Sequence, residues 1–148
     1  MVRRIGLVLA LALLSVACGS PALPDAERIE ARLEAMAAAL AERDAGAVLA
    51  PLADDFSAQT RDLDRRAMRL LLRREMNAHE RLRARIYDFS ATIHSSDRAS
   101  AEFHAVLTGG SGLIPRTGRW YRVETGWRHE GGDWVLISAS WDGIVGRP

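Results

Sequence analysis

Residues 119–141 read RWYRVETGWRHEGGDWVLISASW, and this stretch decides the fold of the chain. One face of its first half carries Tyr121, Val123, Thr125 and Trp127, and the other carries Trp120, Arg122, Glu124 and Arg128. Alternation with a period of two is typical of a β-strand with one buried face. Glu130–Asp133 (Glu-Gly-Gly-Asp) favours a tight turn before a second strand from Trp134 to Trp141. The stretch therefore predicts an antiparallel hairpin.

Two further strands are predicted immediately upstream of this hairpin. One face of the first strand carries Tyr87, Phe89, Ala91 and Ile93. One face of the second strand carries Ala99, Ala101, Phe103, Ala105 and Leu107. Ser95–Arg98 separates the two strands as a turn, and the glycine-rich residues 109–118 connect them to the hairpin. We expect one antiparallel sheet whose covered face bears Phe89, Phe103, Val123 and Trp127.

The first half of the chain has a helical pattern. A helix is predicted from about Asp25, as its N-cap, to about Arg43, with a buried stripe made of Ile29, Leu33, Met36, Ala37 and Leu40. A second, short helix carries Val48, Leu49 and Leu52 and is interrupted by Pro51. A third follows Asp62 or Asp64, carries Met68, Leu71, Leu72 and Met76, and ends near His79. Helices followed by hairpins predict an α+β domain.

Composition limits the class of protein. The chain has 148 residues, 48% of them hydrophobic, with 20 basic against 19 acidic residues and a net charge of +1. These values favour one globular domain and exclude a disordered chain. All basic residues are Arg, which we interpret as coding bias. Without a basic excess, no nucleic-acid partner is predicted.

The amino-terminal residues indicate export. Arg3 and Arg4 precede the apolar run Ile5–Ala17, which is shorter than the roughly 20 residues of a membrane-spanning helix but typical of a signal peptide. The run ends at Cys18, the only cysteine, in a sequence that resembles the lipobox of bacterial lipoproteins. The alternative is an ordinary secretory signal cleaved after Ala17 or Ala22.

The lipobox resemblance implies a specific organisation and location. Residues 1–17 are then the signal peptide, 18–24 the lipidated cysteine and a tether, and 25–148 the domain. Acyl chains on Cys18 would anchor the protein stably in a membrane. Gly19, where an aspartate would retain such proteins in the inner membrane, implies an outer-membrane protein that faces the periplasm.

Several segments, taken in order, resemble the nuclear transport factor 2-like superfamily, which includes ketosteroid isomerase-like and polyketide cyclase-like proteins. They are the first-helix stripe, Leu52–Phe56, Asp97–Ala101, Tyr121–Val123 with Trp127, and Gly132–Ile137 running to Trp141. The resemblance covers roughly Ala26 to Asp142. It implies a cone-like curved antiparallel sheet with three N-terminal helices on its concave face. It also implies a pocket at the open end and, often, a homodimer across the outer face of the sheet.

This superfamily includes both enzymes and proteins without catalytic activity, so whether this chain is an enzyme must be argued from its individual residues. In the ketosteroid isomerase-like members a general-base carboxylate follows the Asp-Asp segment by a few residues, which here falls near Thr60. Asp55 is the best remaining carboxylate, with Tyr87 and Tyr121 as inward-facing hydroxyl donors. Alternatively, Asp55 turns the chain and the tyrosines pack. We therefore assign no catalytic residue and keep an isomerase- or dehydratase-type enzyme with Asp55 as base as the competing hypothesis.

The favoured hypothesis is a non-catalytic protein that binds a small apolar ligand or an envelope partner in the cone. Its predicted lining is Asp55, Phe56, Met68, Tyr87, Phe103, Tyr121 and Trp127. The four histidines show no metal-ligand spacing, so no metal or cofactor is predicted. A third hypothesis is a purely structural dimer in which large side chains fill the cone.

Arg61–Arg85 forms a basic stretch with nine arginines and four acidic residues. Such a surface either contacts anionic lipid phosphates or is a solvated helix face in which Arg replaces Lys. The sequence leaves both interpretations open.

Overall fold

The computed structural model describes residues 23–58, 63–110 and 117–144. Its helices are α1 (Asp25–Ala41), α2 (Ala45–Leu49) and α3 (Arg65–Ala78). Its strands are β1 (Leu52–Ala58), β2 (Leu63–Asp64), β3 (Arg81–Ile93), β4 (Arg98–Gly110), β5 (Thr117–Glu130) and β6 (Asp133–Ile144). The predicted signal peptide, Cys18, most of the tether, Thr60 and Asp62 lie outside the described residues. No helix within the described ranges is long and apolar enough to cross a bilayer.

The strands form a single sheet in the order β2-β1-β6-β5-β4-β3. The four long strands pair antiparallel in sequence order, as the alternating patterns predict, whereas β1 runs parallel to β6. The helix α3 contacts both β1 and β3, although β6, β5 and β4 lie between those two strands. The sheet is curved, and α3 lies against strands on both sides of it. The α+β class is therefore confirmed, with a curved sheet that does not close.

The predicted number and order of N-terminal helices needs correction. Leu52, assigned to the second helix from sequence, begins β1, and the third helix follows β1 and β2 instead of preceding the sheet. Pro51 ends the helical segment because it has no N–H to donate. Its carbonyl accepts a hydrogen bond of 2.8 Å from the Leu136 N–H, which brings the chain alongside β6.

The helix ends are held by specific side chains. Asp44 caps α2 by accepting from the Ala47 N–H at 2.9 Å, and Asp64 caps α3 by accepting from the Ala67 N–H at 2.7 Å. Asp25 is not the N-cap of α1, because Pro24 takes that position without a side-chain bond. The Asp25 carboxylate instead accepts a hydrogen bond of 2.9 Å from the indole of Trp134 on β6.

A break in β3 reverses part of the predicted face assignment. The register with β4 shifts between Tyr87 and Ser90, and Asp88 adopts a φ of 52°. Ile86 and Phe89 pack against the core on either side of this bulge. Tyr87 lies on the outer face with 41% of its surface exposed, so the prediction that it shares a face with Phe89 is wrong.

The core joins α1 and α2 to the inner face of the sheet. Ile29 and Leu33 of α1 are buried against it, and Trp127 at its centre has 0% exposure. Its indole donates to Thr125 Oγ1 at 2.9 Å, and Thr125 Oγ1 donates to the Ala101 carbonyl at 3.0 Å. These bonds satisfy the buried indole N–H of Trp127 and the buried hydroxyl of Thr125. The predicted inner face of Phe89, Phe103, Val123 and Trp127 is confirmed.

Candidate binding site

The inner face of the sheet is closed at one end. Ala99, Trp127 and Leu136 form one cross-strand row on β4, β5 and β6, and none of them is more than 4% exposed. In the next row, Ala101 and Thr125 are also buried. Trp134, 1% exposed, lies beyond the first row near the β5–β6 turn. This end of the concave face is filled by side chains.

Accessibility increases along the same strands towards the other end. The row of Phe103, Val123 and Trp141 is half-open, because Phe103 is buried whereas Val123 and Trp141 are half-buried. Tyr121, in the following row, is also half-buried, and Leu107 near the end of β4 is 40% exposed. The inner face of the curved sheet is therefore buried at one end and partly exposed at the other. Residues 111–116, adjacent to this end, lie outside the described residues.

The structure separates the predicted lining residues into three groups. Phe56, Phe103 and Trp127 belong to the buried core. Met68 on α3 and Tyr121 on β5 are half-buried, with Met68 packed against that core. Tyr87 lies on the outer face and Asp55 on the surface. Of the predicted set, Met68 and Tyr121 are the partly exposed residues of the inner side.

Asp55 is engaged in an ion pair. Its side chain is 65% exposed, and both carboxylate oxygens accept hydrogen bonds of 3.0 Å from the guanidinium of Arg128. These bonds lower the pKa of Asp55 and raise the pKa of Arg128, whose Nε also contacts Glu130. A general base is favoured by burial that raises its pKa, so this carboxylate is poorly suited to proton abstraction.

Sequence reasoning did not include Val123 and Trp141 in the lining. Val123 was predicted on the inner face, and Trp141 pairs directly with it across β5 and β6. The cross-strand register, and not the pattern of either strand alone, brings both residues into one row with Phe103. Knowing the bulge between Gly126 and Trp127 would have been necessary to find this row from sequence.

Comparisons with known proteins identify the fold. No family model and no curated protein matches the chain. A nuclear transport factor 2-like protein of unknown function from Pseudomonas putida KT2440 is similar with a TM-score of 0.67 and 21% identity, over 82% of this chain and 89% of that one. A Novosphingobium aromaticivorans protein provisionally named a scytalone dehydratase has a TM-score of 0.71 and 10% identity, over 80% and 83% of the two chains.

A third similar structure is Bd1075 of Bdellovibrio bacteriovorus, with a TM-score of 0.69 and 9% identity. The similarity covers 80% of this chain but only 41% of Bd1075, so the chain spans less than half of that protein. The chain has a nuclear transport factor 2-like fold. At these identities the likeness concerns the fold alone.

The outer face of the nuclear transport factor 2-like domain carries an aromatic pair. Tyr87 stacks on Trp120 with ring centroids 5.7 Å apart and an interplanar angle of 24°. Val106 and Ile144 lie in the same cross-strand row as Trp120. Further along this face, a polar groove of about 470 Å³ is lined by residues that include Ser100, Glu102, Glu124, Gly126, Ser138 and Ser140.

The histidines of the domain have local partners. His104 Nδ1 lies 3.1 Å from Asp88 Oδ2, His94 Nε2 lies 2.8 Å from Ser100 Oγ, and the ring of His129 meets Trp134 edge-on. Within the described residues, no group of three or more His, Cys, Asp or Glu side chains is arranged to hold a metal ion.

Proposed function

We propose that the chain is an outer-membrane lipoprotein of the periplasm whose nuclear transport factor 2-like domain binds a small apolar ligand without catalysis. The observation that carries this proposal is the change in burial along the inner face. The closed end is packed around Trp127, whereas Val123, Tyr121 and Trp141 remain partly exposed on the same concave surface. A concave apolar surface with few polar groups is typical of small-ligand sites.

The chemistry of the open end defines the class of ligand. Val123, Trp141 and Met68 offer apolar contacts, and the hydroxyl of Tyr121 adds a polar group beside the exposed Arg119, which lies opposite Leu107 on the same face. Side chains fill the closed end, so only the outer part of the cone is accessible. We therefore expect a small, largely apolar molecule with one group that can hydrogen-bond to a hydroxyl.

The position of Asp55 favours binding over an isomerase- or dehydratase-type reaction. Arg128 occupies both oxygens of this carboxylate, and Tyr87 lies on the opposite face of the sheet from Tyr121. The catalytic arrangement considered from sequence, a carboxylate beside two inward hydroxyls, is thus not assembled by these residues.

The outer face favours a homodimer as the functional unit. Tyr87, which is 41% exposed, stacks on the half-buried Trp120, and aromatic residues are common at protein interfaces. Glu102 and Glu124 lie directly opposite each other on the same face, and no basic side chain of the described residues pairs with either. Arg122 is exposed one row away. Packing two copies through this face would bring the acidic pair of one copy towards Arg122 of the other.

Fluorescence binding tests the proposal with two matched variants. Trp141 and Trp120 are both half-buried tryptophans of the sheet, but Trp141 faces the cone and Trp120 faces outward. The apolar fluorophore N-phenyl-1-naphthylamine should bind the wild-type chain and Trp120→Ala, and should bind Trp141→Ala much more weakly. Circular dichroism verifies that both variants are folded. Equal binding by the two folded variants would contradict a ligand site in the cone.

A further inference from the structure

One face of α3 does not pack against the rest of the domain. The helix turns Met68, Leu72 and Met76 towards the rest of the domain. On the opposite side, five exposed residues follow each other at intervals of one, three or four positions, namely Arg66, Arg69, Leu70, Arg73 and Arg74. We call these five residues the arginine face. It is part of the basic stretch that the sequence indicates.

The arginine face differs from the other charged positions of α3 in lacking partners. Arg65 Nη1 lies 2.8 Å from Asp54 Oδ1, and Glu75 lies 3.8 Å from His79. Within the described residues, no acidic side chain forms a salt bridge with the arginines of the arginine face. Arg69 and Arg73 are four positions apart, where like charges repel and destabilise a helix.

The position of these charges along α3 also opposes helix stability. The first turn contains Arg65 and, on the arginine face, Arg66; it has no acidic residue after the N-cap Asp64, and the last turn contains no basic residue. A helix is stabilised by negative charge at its N-terminus and by positive charge at its C-terminus. Arg66 in the first turn and the repulsion between Arg69 and Arg73 therefore cost the isolated helix stability, and an anionic surface placed against them would reverse that cost.

Leu70 indicates which kind of anionic surface fits. It is 59% exposed and is surrounded on the helix by the four arginines of the face. Guanidinium groups bind phosphates through paired hydrogen bonds, and an aliphatic side chain among them suits the boundary between headgroups and acyl chains. The backbone of a nucleic acid offers phosphates but no apolar layer for this leucine. We infer that the arginine face of α3 lies on an anionic phospholipid bilayer.

The proposed anchor would keep the start of α1, and with it the domain, close to such a bilayer. Six residues separate Cys18 from Asp25, where α1 begins, and a segment of that length spans at most about 25 Å. The inference rests on the proposed lipidation for this proximity alone, because the unpaired charges and Leu70 are features of the domain itself.

Amide hydrogen exchange of the full chain in nanodiscs tests this inference. In discs that contain phosphatidylglycerol, exchange over residues 65–78 should be at least about fivefold slower than in discs of phosphatidylcholine, since each basic residue near an anionic surface contributes about that factor. Exchange over residues 25–41 should be the same in both discs. Added salt should reduce the difference, because it screens the attraction.

Two charge-matched variants complete the experiment. Arg69→Gln/Arg73→Gln should lose most of the phosphatidylglycerol effect, and Arg119→Gln/Arg122→Gln, which changes two exposed arginines of β5, should retain it. Equal exchange of α3 in both kinds of disc, or the same behaviour of the two variants, would overturn the inference. The inference would also be overturned if RNA slowed amide exchange in α3 and phosphatidylglycerol did not. If the chain is not lipidated and does not enter discs, vesicles added to the free chain give the same comparison, which separates this inference from the anchor.

Discussion

The guanidinium of Arg128 holds the carboxylate of Asp55 through two hydrogen bonds of 3.0 Å. The two residues are 73 positions apart in the sequence and lie on β5 and β1, with β6 between these strands in the sheet. The pair therefore connects two strands that are not neighbours in the sheet. The residue considered from sequence as a general base has a structural partner in this fold.

A double-mutant cycle tests that structural role. Asp55→Asn and Arg128→Gln should each lower the midpoint of thermal unfolding slightly, because both side chains are partly exposed and screened by solvent. The double variant should lose no more than the larger single loss, since both changes remove the same interaction. Additive losses, measured by differential scanning calorimetry, would show that the two residues act independently.

Acid should destabilise the domain through four aspartates. The pKa of each lies below the ordinary value of 3.8, through hydrogen bonds from Trp134 to Asp25, Arg128 to Asp55, Ser95 to Asp97 and Arg32 to Asp133. A carboxyl with a lowered folded-state pKa stabilises the fold above its unfolded value and loses that contribution as pH falls through the folded value.

The free energy of unfolding should therefore change little through these groups from neutral pH down to about pH 4 and then decrease. Urea unfolding at a series of pH values measures this dependence. Arg32→Gln, which removes the main cause of the Asp133 shift, should make the acid decrease shallower. An unchanged slope in this variant would contradict the assignment.

The bulge in β3 requires an unusual backbone conformation at Asp88. Its φ of 52° is in the left-handed region, which glycine adopts freely and β-branched residues resist. Asp88→Val should lower the free energy of unfolding by about 1–2 kcal/mol relative to Asp88→Gly. Both variants lose the contact with His104, so that loss cancels in the comparison between them. Equal stability in chemical denaturation would show that the strand relaxes without the bulge.

The lipid anchor is tested on the amino-terminal sequence. The mature wild-type chain should begin at Cys18 and carry acyl groups in its intact mass, and Cys18→Ala should carry none. Ser15→Leu, which brings the sequence nearer to the usual lipobox, serves as a control that should be lipidated at least as fully. A mature chain that begins after Ala22 would establish an ordinary secretory signal instead.

Much of the fold follows from local patterns. The stripe of Ile29 and Leu33 and the alternation around Trp127 specify α1 and the hairpin, because each depends on residues close together in sequence. The strand β1 does not follow from a local pattern, because its two adjacent exposed aspartates interrupt the alternation of buried and exposed residues. It is paired through β6, so its conformation is decided by a partner far along the chain.

The candidate site is harder to predict than the fold, because it too depends on residues that are far apart in the sequence. Tyr87 and Tyr121 both occupy apparently inward positions in their strands, yet the bulge at Asp88 turns Tyr87 outward. The engagement of Asp55 by Arg128 depends on the strand order, which places β1 and β5 on either side of β6 and which no local pattern encodes. Which part of the cone remains open likewise depends on how α1 and α3 cover the sheet.

Native mass spectrometry of the full chain, isolated from the cell envelope without refolding, tests ligand binding in the cone most directly. Tyr121 and Tyr87 lie on opposite faces of one sheet, so Tyr121→Ala and Tyr87→Ala form a matched pair. We expect an apolar small molecule to copurify with the wild type and with Tyr87→Ala and to be lost from Tyr121→Ala. A ligand-free mass for the wild type, or the same bound mass in both variants, would contradict it.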